Sequence, residues 1–155
     1  ANSGGIRASI DAGEVTMGEV LTVLPFQNTL STFQVSGQTI LDALENGVSQ
    51  VEEVKGRFPQ VAGLKYSWDI KVAAGEGRIS DVMVATSDGF APIDPAATYG
   101  VVSNNYVRGG GDGYKMFRDA ANVYDYGPDV ADVLAEYMAN SGGYTPYLDG
   151  RITAK

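Results

Sequence analysis

The chain has 155 residues, a length typical of one domain, and no apolar run approaches the roughly 20 residues of a membrane helix. Its net charge of -8 argues against a nucleic-acid partner, because binding the phosphate backbone requires clustered cations and the eleven Lys and Arg are scattered. It contains neither Cys nor His, which excludes thiol catalysis, thiolate metal sites and the commonest general base.

The first part of the chain predicts two helices and two strands. Thr16 to Glu19 has the capping-box pattern that begins a short helix. Residues 21–26 predict a strand ended by a proline, and residues 30–35 predict a second strand. A longer helix is expected over about residues 38–53, because apolar residues recur at helical spacing. These residues are Ile40, Leu41, Leu44, Val48 and Val51.

The rest of the chain predicts a hairpin, a strand, a helix and a final strand. Residues 64–70 and 78–85 form the hairpin, and residues 99–104 form the next strand. The helix is expected to begin at Pro128, and the last strand to cover 151–153. Because no regular βαβ rhythm is present, these elements indicate an α+β fold with a mixed, largely antiparallel sheet packed with helices. A parallel α/β fold is the alternative.

Two polar or charged residues lie beside glycines, far apart in the chain. Asp112 lies within the run Gly109 to Gly113, which lets a ligand approach the backbone closely but matches neither common phosphate-loop pattern. A tight turn in which Asp112 bonds its own backbone is the alternative. Arg7 follows a polar glycine turn, where a guanidinium can make a forked contact with phosphate or carboxylate. A solvated surface arginine is the alternative there.

Two aromatic residues are placed where their rings could hold a planar ligand. Phe26 follows a proline at a predicted strand end, and Tyr106 lies just before the glycine run. Aromatic rings in such positions can sandwich a nucleobase. Burial of both rings in the core is the alternative.

Five motifs together resemble the C-terminal domain of the 5'-nucleotidases, a family that includes UDP-sugar hydrolases and 2',3'-cyclic-nucleotide phosphodiesterases. They are NSGGIR at 2–7, GEVTMGEVLTVLPFQN at 13–28, VSGQTI at 35–40, GRFPQVAGL at 56–64 and YGVVSNNYVRGGGDGY at 99–114. The resemblance implies that 1–155 is a single substrate-binding domain. It also implies a larger hydrolase, with an N-terminal metallophosphoesterase domain that this chain lacks.

The resemblance further implies a nucleotide pocket. Arg7 would contact the phosphate side, and Asp112 would bind the ribose hydroxyls. The rings of Phe26 and Tyr106 would stack on the base. Tyr106 stands where many family members have phenylalanine, so its hydroxyl could change the base preference.

Two asparagines complete the set of residues that the resemblance implies. Asn2 and Asn28 would make polar contacts near the base. The family's two divalent metal ions are held by the N-terminal domain, so we expect no cofactor in this chain and no hydrolysis by it alone. The resemblance also implies a nucleotide or nucleoside partner and a periplasmic or extracellular location.

Other functions stay open at this stage. The chain could be a binding or interaction module without a hydrolytic role, with its aromatic residues facing a protein. It could also belong to a related hydrolase that acts on a sulfur compound, a UDP-sugar or a cyclic nucleotide.

Overall fold

The computed structural model describes all 155 residues, which form four α-helices, seven strands, three short 3-10 helices and the loops between them. The helices are α1 (Met17–Val23), α2 (Gly37–Val48), α3 (Asn105–Arg108) and α4 (Val130–Asn140). The strands are β1 (Leu30–Ser36), β2 (Leu64–Trp68), β3 (Ile79–Thr86), β4 (Gly89–Pro92), β5 (Thr98–Asn104), β6 (Ala121–Tyr124) and β7 (Ile152–Ala154). No helix is both long and apolar enough to cross a bilayer.

The strands form two sheets that together confirm the predicted α+β class. One sheet has the order β5-β1-β6, with both neighbours antiparallel to β1. The other has the order β4-β3-β2-β7, in which the predicted hairpin pairs β2 with β3. The last strand, β7, runs parallel to β2 and makes this sheet mixed.

Helix α2 packs against both sheets and forms the centre of the core. Its residues Ile40, Leu44 and Val48 are buried, because their spacing places them on one face. That face meets Phe33 of the first sheet and Tyr66 of the second within one hydrophobic cluster. The core therefore joins the two sheets into one body.

Helix α2 ends at Val48, five residues before its predicted end at residue 53. The buried guanidinium of Arg78 donates to the backbone oxygen of Val48 at 2.9 Å. This contact takes a carbonyl that a continuing helix would use for the N–H four residues later. Arg78 also pairs with Glu52, and this hydrogen bond lowers the pKa of the Glu52 carboxyl. A cation from a distant part of the chain therefore provides a partner for a carbonyl at the C-terminal end of the helix.

The predicted strand over residues 21–26 is wrong, because most of this segment belongs to α1 and the turn after it. The capping box forms as expected: Thr16 Oγ1 accepts from the backbone N–H of Glu19 at 3.4 Å, and the Glu19 carboxylate accepts from the N–H of Thr16 at 2.7 Å. Val20 and Val23 are then buried three residues apart on one helical face. The capping box determined the structure here, and the apolar run was misinterpreted.

Other boundaries differ by a few residues. Helix α4 begins at Val130, two residues after the predicted start, because the Asp129 carboxylate caps it by accepting from the N–H of Ala131 at 2.8 Å. Helix α3 and strands β4 and β6, each of four residues, were not predicted.

We expect Gly37→Ala to destabilise the protein by about 2 kcal/mol, because overpacking typically costs about 1–3 kcal/mol. A Cβ at Gly37 would overlap the backbone carbonyl oxygen of Asp94, which no side-chain rotation can relieve. Thermal unfolding followed by circular dichroism measures the loss. The matched control is Gly18→Ala in the first turn of α1, where the nearest atom is 3.8 Å away. Equal melting temperatures for both variants would contradict the close packing at Gly37.

Candidate functional site

A shallow cleft lies beside the start of β1, between the N-terminal segment and the start of α4. Its wall includes Asn2, Phe26, Asn28 and Asn104. The enclosed volume is only about 30 Å³, so a base would rest on the rim of the cleft rather than inside it. The Phe26 ring is well placed for that role, because it is 55% exposed.

Tyr106 is positioned by the cap of a short helix. Asn104 ends β5 and caps α3, and its Oδ1 accepts from the N–H of Val107 at 2.8 Å. Asparagine is a preferred residue at such a position, because its side chain replaces a missing backbone partner. The cap places Tyr106 in the first turn of α3 with 48% of its surface exposed. The ring is therefore available to a ligand, and burial of Phe26 and Tyr106 in the core is ruled out.

Asn2 connects the N-terminal motif to the glycine-rich run that contains Asp112. It is 5% exposed, and its Nδ2 donates to Asp112 Oδ2 at 2.7 Å. Its Oδ1 accepts from Asn104 Nδ2 at 3.3 Å. The segment that carries Asn2 is held close to a second loop, because a Cβ at Gly4 would come within 2.9 Å of the Gly56 Cα. Only glycines permit this close approach of two backbones.

Asp112 accepts hydrogen bonds from three side chains in other parts of the chain, those of Asn2, Asn46 and Tyr106. Its backbone adopts a left-handed conformation with φ of 52°, and its carbonyl oxygen accepts from Asn46 Nδ2 at 3.2 Å. Its Oδ1 accepts from the Tyr106 hydroxyl at 3.0 Å. This hydrogen bond raises the pKa of Tyr106, and partial burial raises it further. The side chain of Asp112 therefore reaches across the fold, and the alternative that it bonds only its own turn is wrong.

Arg7 directly follows Ile6, which lines the cleft, and its guanidinium makes no ion pair. Its backbone N–H donates to the oxygen of Val23 at 2.9 Å, which anchors the residue next to α1. Its side chain is exposed, and its one hydrogen bond is a long contact of 3.5 Å to the Gly4 oxygen. No carboxylate neutralises it, so its charge is available to an anion.

The structure thus brings together five of the six residues singled out from the sequence. Asn2, Phe26 and Asn28 line the cleft, and Asn2 leads through Asp112 to Tyr106. Arg7 follows Ile6, which lines the cleft, but no contact links its guanidinium to the other five residues. Contact of each residue with a ligand stays a prediction.

Sequence reasoning missed the residues behind the site. Arg57 donates to Asn46 Oδ1 at 3.2 Å and to Ser49 Oγ at 3.1 Å, and so steadies the asparagine that binds the Asp112 backbone. Asn104 could have been found from the sequence, because asparagine is a preferred residue at the start of a helix, but the helix that it caps was not predicted. Nothing in the sequence marks Asn46, because a polar residue on a helix is ordinarily solvated.

The residues of this chain do not fit a metal site. No group of three or more Asp, Glu, His or Cys side chains lies close enough to hold an ion. Asp129, the acidic residue that lines the cleft, caps α4, and the Asp112 carboxylate already accepts from Asn2 and Tyr106. What the site offers is two exposed aromatic side chains and an oriented carboxylate, with the exposed Arg7 following a residue of the cleft wall.

Comparison with known proteins places these features in a family. The model of the 5'-nucleotidase C-terminal domain matches residues 1–119. The chain belongs to this family. The trifunctional nucleotide phosphoesterase protein YfkN of Bacillus subtilis is 41% identical over 153 residues, which is 97% of this chain and 10% of that protein.

Solved structures of family members share the fold. A 5'-nucleotidase precursor from Thermus thermophilus has a TM-score of 0.96 and 45% identity, over 99% of this chain and 30% of that one. The NAD nucleotidase of Haemophilus influenzae has a TM-score of 0.87 and 31% identity, over 99% of this chain and 29% of that one. This chain of the 5'-nucleotidase C-terminal domain family therefore spans less than a third of the length of these relatives.

We expect Asn2→Ala to lower the free energy of unfolding by about 1–3 kcal/mol, the cost of leaving buried polar groups unpaired. The change removes the partner of Asp112 Oδ2 and of Asn104 Nδ2. Urea unfolding measures the loss. Asn28→Ala serves as the control, because the Asn28 side chain makes no hydrogen bond although it lines the same cleft. If Asn2→Ala unfolds at the same urea concentration as wild type, the Asn2 contacts contribute nothing to stability.

Proposed function

We propose that this chain is the nucleotide-binding, substrate-specificity domain of a 5'-nucleotidase-type phosphohydrolase that converts nucleotides to nucleosides. The observation that carries the proposal is the continuous arrangement around one cleft. Exposed Phe26 lies on its wall, and Asn2 on the same wall leads by hydrogen bonds to Asp112 and Tyr106. An aromatic surface beside an oriented carboxylate suits a base attached to a sugar with hydroxyl groups.

Each part of a nucleotide has a matching group in this site. Stacking on the two aromatic rings contributes about 1–3 kcal/mol per base in nucleic-acid binders. The Asp112 carboxylate accepts hydrogen bonds from the ribose hydroxyls. Arg7 provides the positive charge for the phosphate side, and its exposure leaves it free to do so. This domain thus supplies binding, orientation and base selectivity.

The hydrolytic step is proposed to take place outside this chain. Two divalent metal ions in an N-terminal metallophosphoesterase domain would supply that chemistry, while this chain holds the substrate in position. The relatives are three or more times longer than this chain, which leaves room for such a domain. A periplasmic or extracellular location is part of the proposal and rests on the family resemblance, and cell fractionation of the full-length protein tests it.

We expect the 155-residue chain to bind adenosine and AMP saturably, with weak affinity. Phe26→Ala should reduce the affinity about tenfold, because a stacking loss of about 1.4 kcal/mol corresponds to a factor of ten. Asp112→Ala should also reduce it. Isothermal titration calorimetry, or chemical-shift changes on titration, measures these affinities.

The matched control is Phe90→Ala. Phe90 is 44% exposed like Phe26, but it lies on β4 at the edge of the other sheet. The control should bind adenosine like wild type. If wild type shows no saturable binding at millimolar ligand, the proposed nucleotide site is wrong.

We expect the 155-residue chain to release no phosphate from AMP in the presence of Mg²⁺ or Mn²⁺. It lacks His and Cys and has no cluster of carboxylates that could hold either ion. A colorimetric phosphate assay with a protein-free blank makes the measurement. Metal-dependent release that disappears in Asp112→Ala would show that the chain itself is catalytic. It would contradict the proposal that this chain only binds the substrate and that another domain hydrolyses it.

A further inference from the structure

The Tyr106 hydroxyl connects the aromatic and the polar parts of the site. We propose that it is a positioning group that orients the Asp112 carboxylate, and that it thereby increases the preference for nucleosides with free 2' and 3' hydroxyls over those without them. Through it, the side chain that would stack on the base also orients the carboxylate that would bind the sugar. The inference rests on the proposed nucleotide-binding function and adds a specificity determinant to it.

One face of the Tyr106 ring is fixed against the backbone. A Cβ built at Gly111 would lie 2.5 to 2.6 Å from three atoms of that ring, so the ring covers Gly111 and leaves no space for a side chain. Because the residue is still 48% exposed, part of the ring surface is open to solvent. Gly111 thus supports one face of the ring, and the exposed part of the ring is available to a ligand.

The hydroxyl end of the ring is fixed as well. It donates to Asp112 Oδ1 at 3.0 Å and accepts from the Asp112 backbone N–H at 3.3 Å. Asp112 Oδ2 accepts from Asn2, which in turn accepts from Asn104, the cap of the helix that carries Tyr106. These hydrogen bonds form a closed circuit that returns to the α3 backbone. The ring and the carboxylate therefore hold each other in place before a ligand arrives, which lowers the ordering cost of binding.

The circuit leaves the carboxylate capacity for a ligand. An ionised carboxylate has about four acceptor positions. Asn2 and Tyr106 each occupy one, on different oxygens. The remaining positions suit two neighbouring hydroxyl donors such as the 2' and 3' groups of ribose. Without the Tyr106 hydroxyl, the carboxylate could rotate, and its alignment with both donors would be lost.

The test compares adenosine with 2',3'-dideoxyadenosine, using calorimetry on the 155-residue chain. Wild type should bind adenosine more tightly than the dideoxy compound. Tyr106→Phe should weaken adenosine binding about three- to tenfold, as expected for a hydrogen bond to a charged group. It should weaken dideoxyadenosine binding less, so the ratio of the two affinities falls. A purely structural role of the hydroxyl would lower both affinities equally.

Two further variants keep the test informative. Tyr124→Phe is the matched control, because this tyrosine is 54% exposed and its hydroxyl makes no hydrogen bond, and it should behave like wild type. Gly111→Ala should displace the Tyr106 ring and weaken both ligands about equally. Thermal melts of each variant confirm that it folds.

The possible failures are distinguishable. If Tyr106→Phe leaves the affinity ratio unchanged while Asp112→Ala lowers it, the coupling by the hydroxyl is wrong and the nucleotide site stands. Tighter adenosine binding by Tyr106→Phe would also overturn the inference, because the hydroxyl would then compete with the ribose. If wild type binds neither compound, both the inference and the proposed function fail.

Discussion

The hydrogen bond from Asn2 Nδ2 to Asp112 Oδ2, 2.7 Å long, joins residues 110 positions apart in the chain. The geometry of the candidate site depends on it. Asn2 lines the cleft, and Asp112 lies in the glycine-rich loop. This contact therefore ties the glycine-rich loop to the wall of the cleft. The close approach of Gly4 and Gly56 supports the contact, because it fixes the backbone that carries Asn2.

The site combines buried polar side chains with exposed aromatic side chains. Asn2 and Asn104 are almost completely buried and hydrogen-bonded to each other, whereas Phe26 and Tyr106 are about half exposed. A buried polar network is stabilising only when its members find partners, so it specifies one arrangement. The exposed rings contribute little to the core. This arrangement suits a preformed binding site, because the buried asparagines keep the site rigid and the exposed rings provide the surface that a ligand contacts.

Much of the fold could be predicted from the sequence where one local signal dominates. Strand β1, the start of α2 and the hairpin of β2 and β3 follow from periodicity and turn residues. The segment 21–26 was predicted wrongly because a short apolar run suits either a strand or a helix face. The end of α2 was placed five residues too late, and its contact with Arg78, thirty residues later in the chain, could not be predicted. Contacts between distant residues leave no periodic signal.

The same limit applies to the site. Motif order and spacing indicated that Arg7 and Asp112 belong to one pocket, but only the folded chain shows that Asn2 and Tyr106 share the Asp112 carboxylate. No sequence feature marked Asn46, because it matters only through its hydrogen bond to the Asp112 carbonyl oxygen in the loop that packs against α2. Residue types that contact a ligand are recognisable from a family pattern. The side chains that hold them in place are found through three-dimensional neighbours.

The most direct test of the central claim is a crystal structure of this chain soaked or co-crystallised with adenosine. The account predicts the base against the rings of Phe26 and Tyr106, and both ribose hydroxyls within hydrogen-bond distance of the Asp112 carboxylate. It also predicts that the hydrogen bonds from Asn2 and Tyr106 to Asp112 persist. Adenosine bound elsewhere, or bound in the cleft with Asp112 turned away from the ribose, would contradict the account.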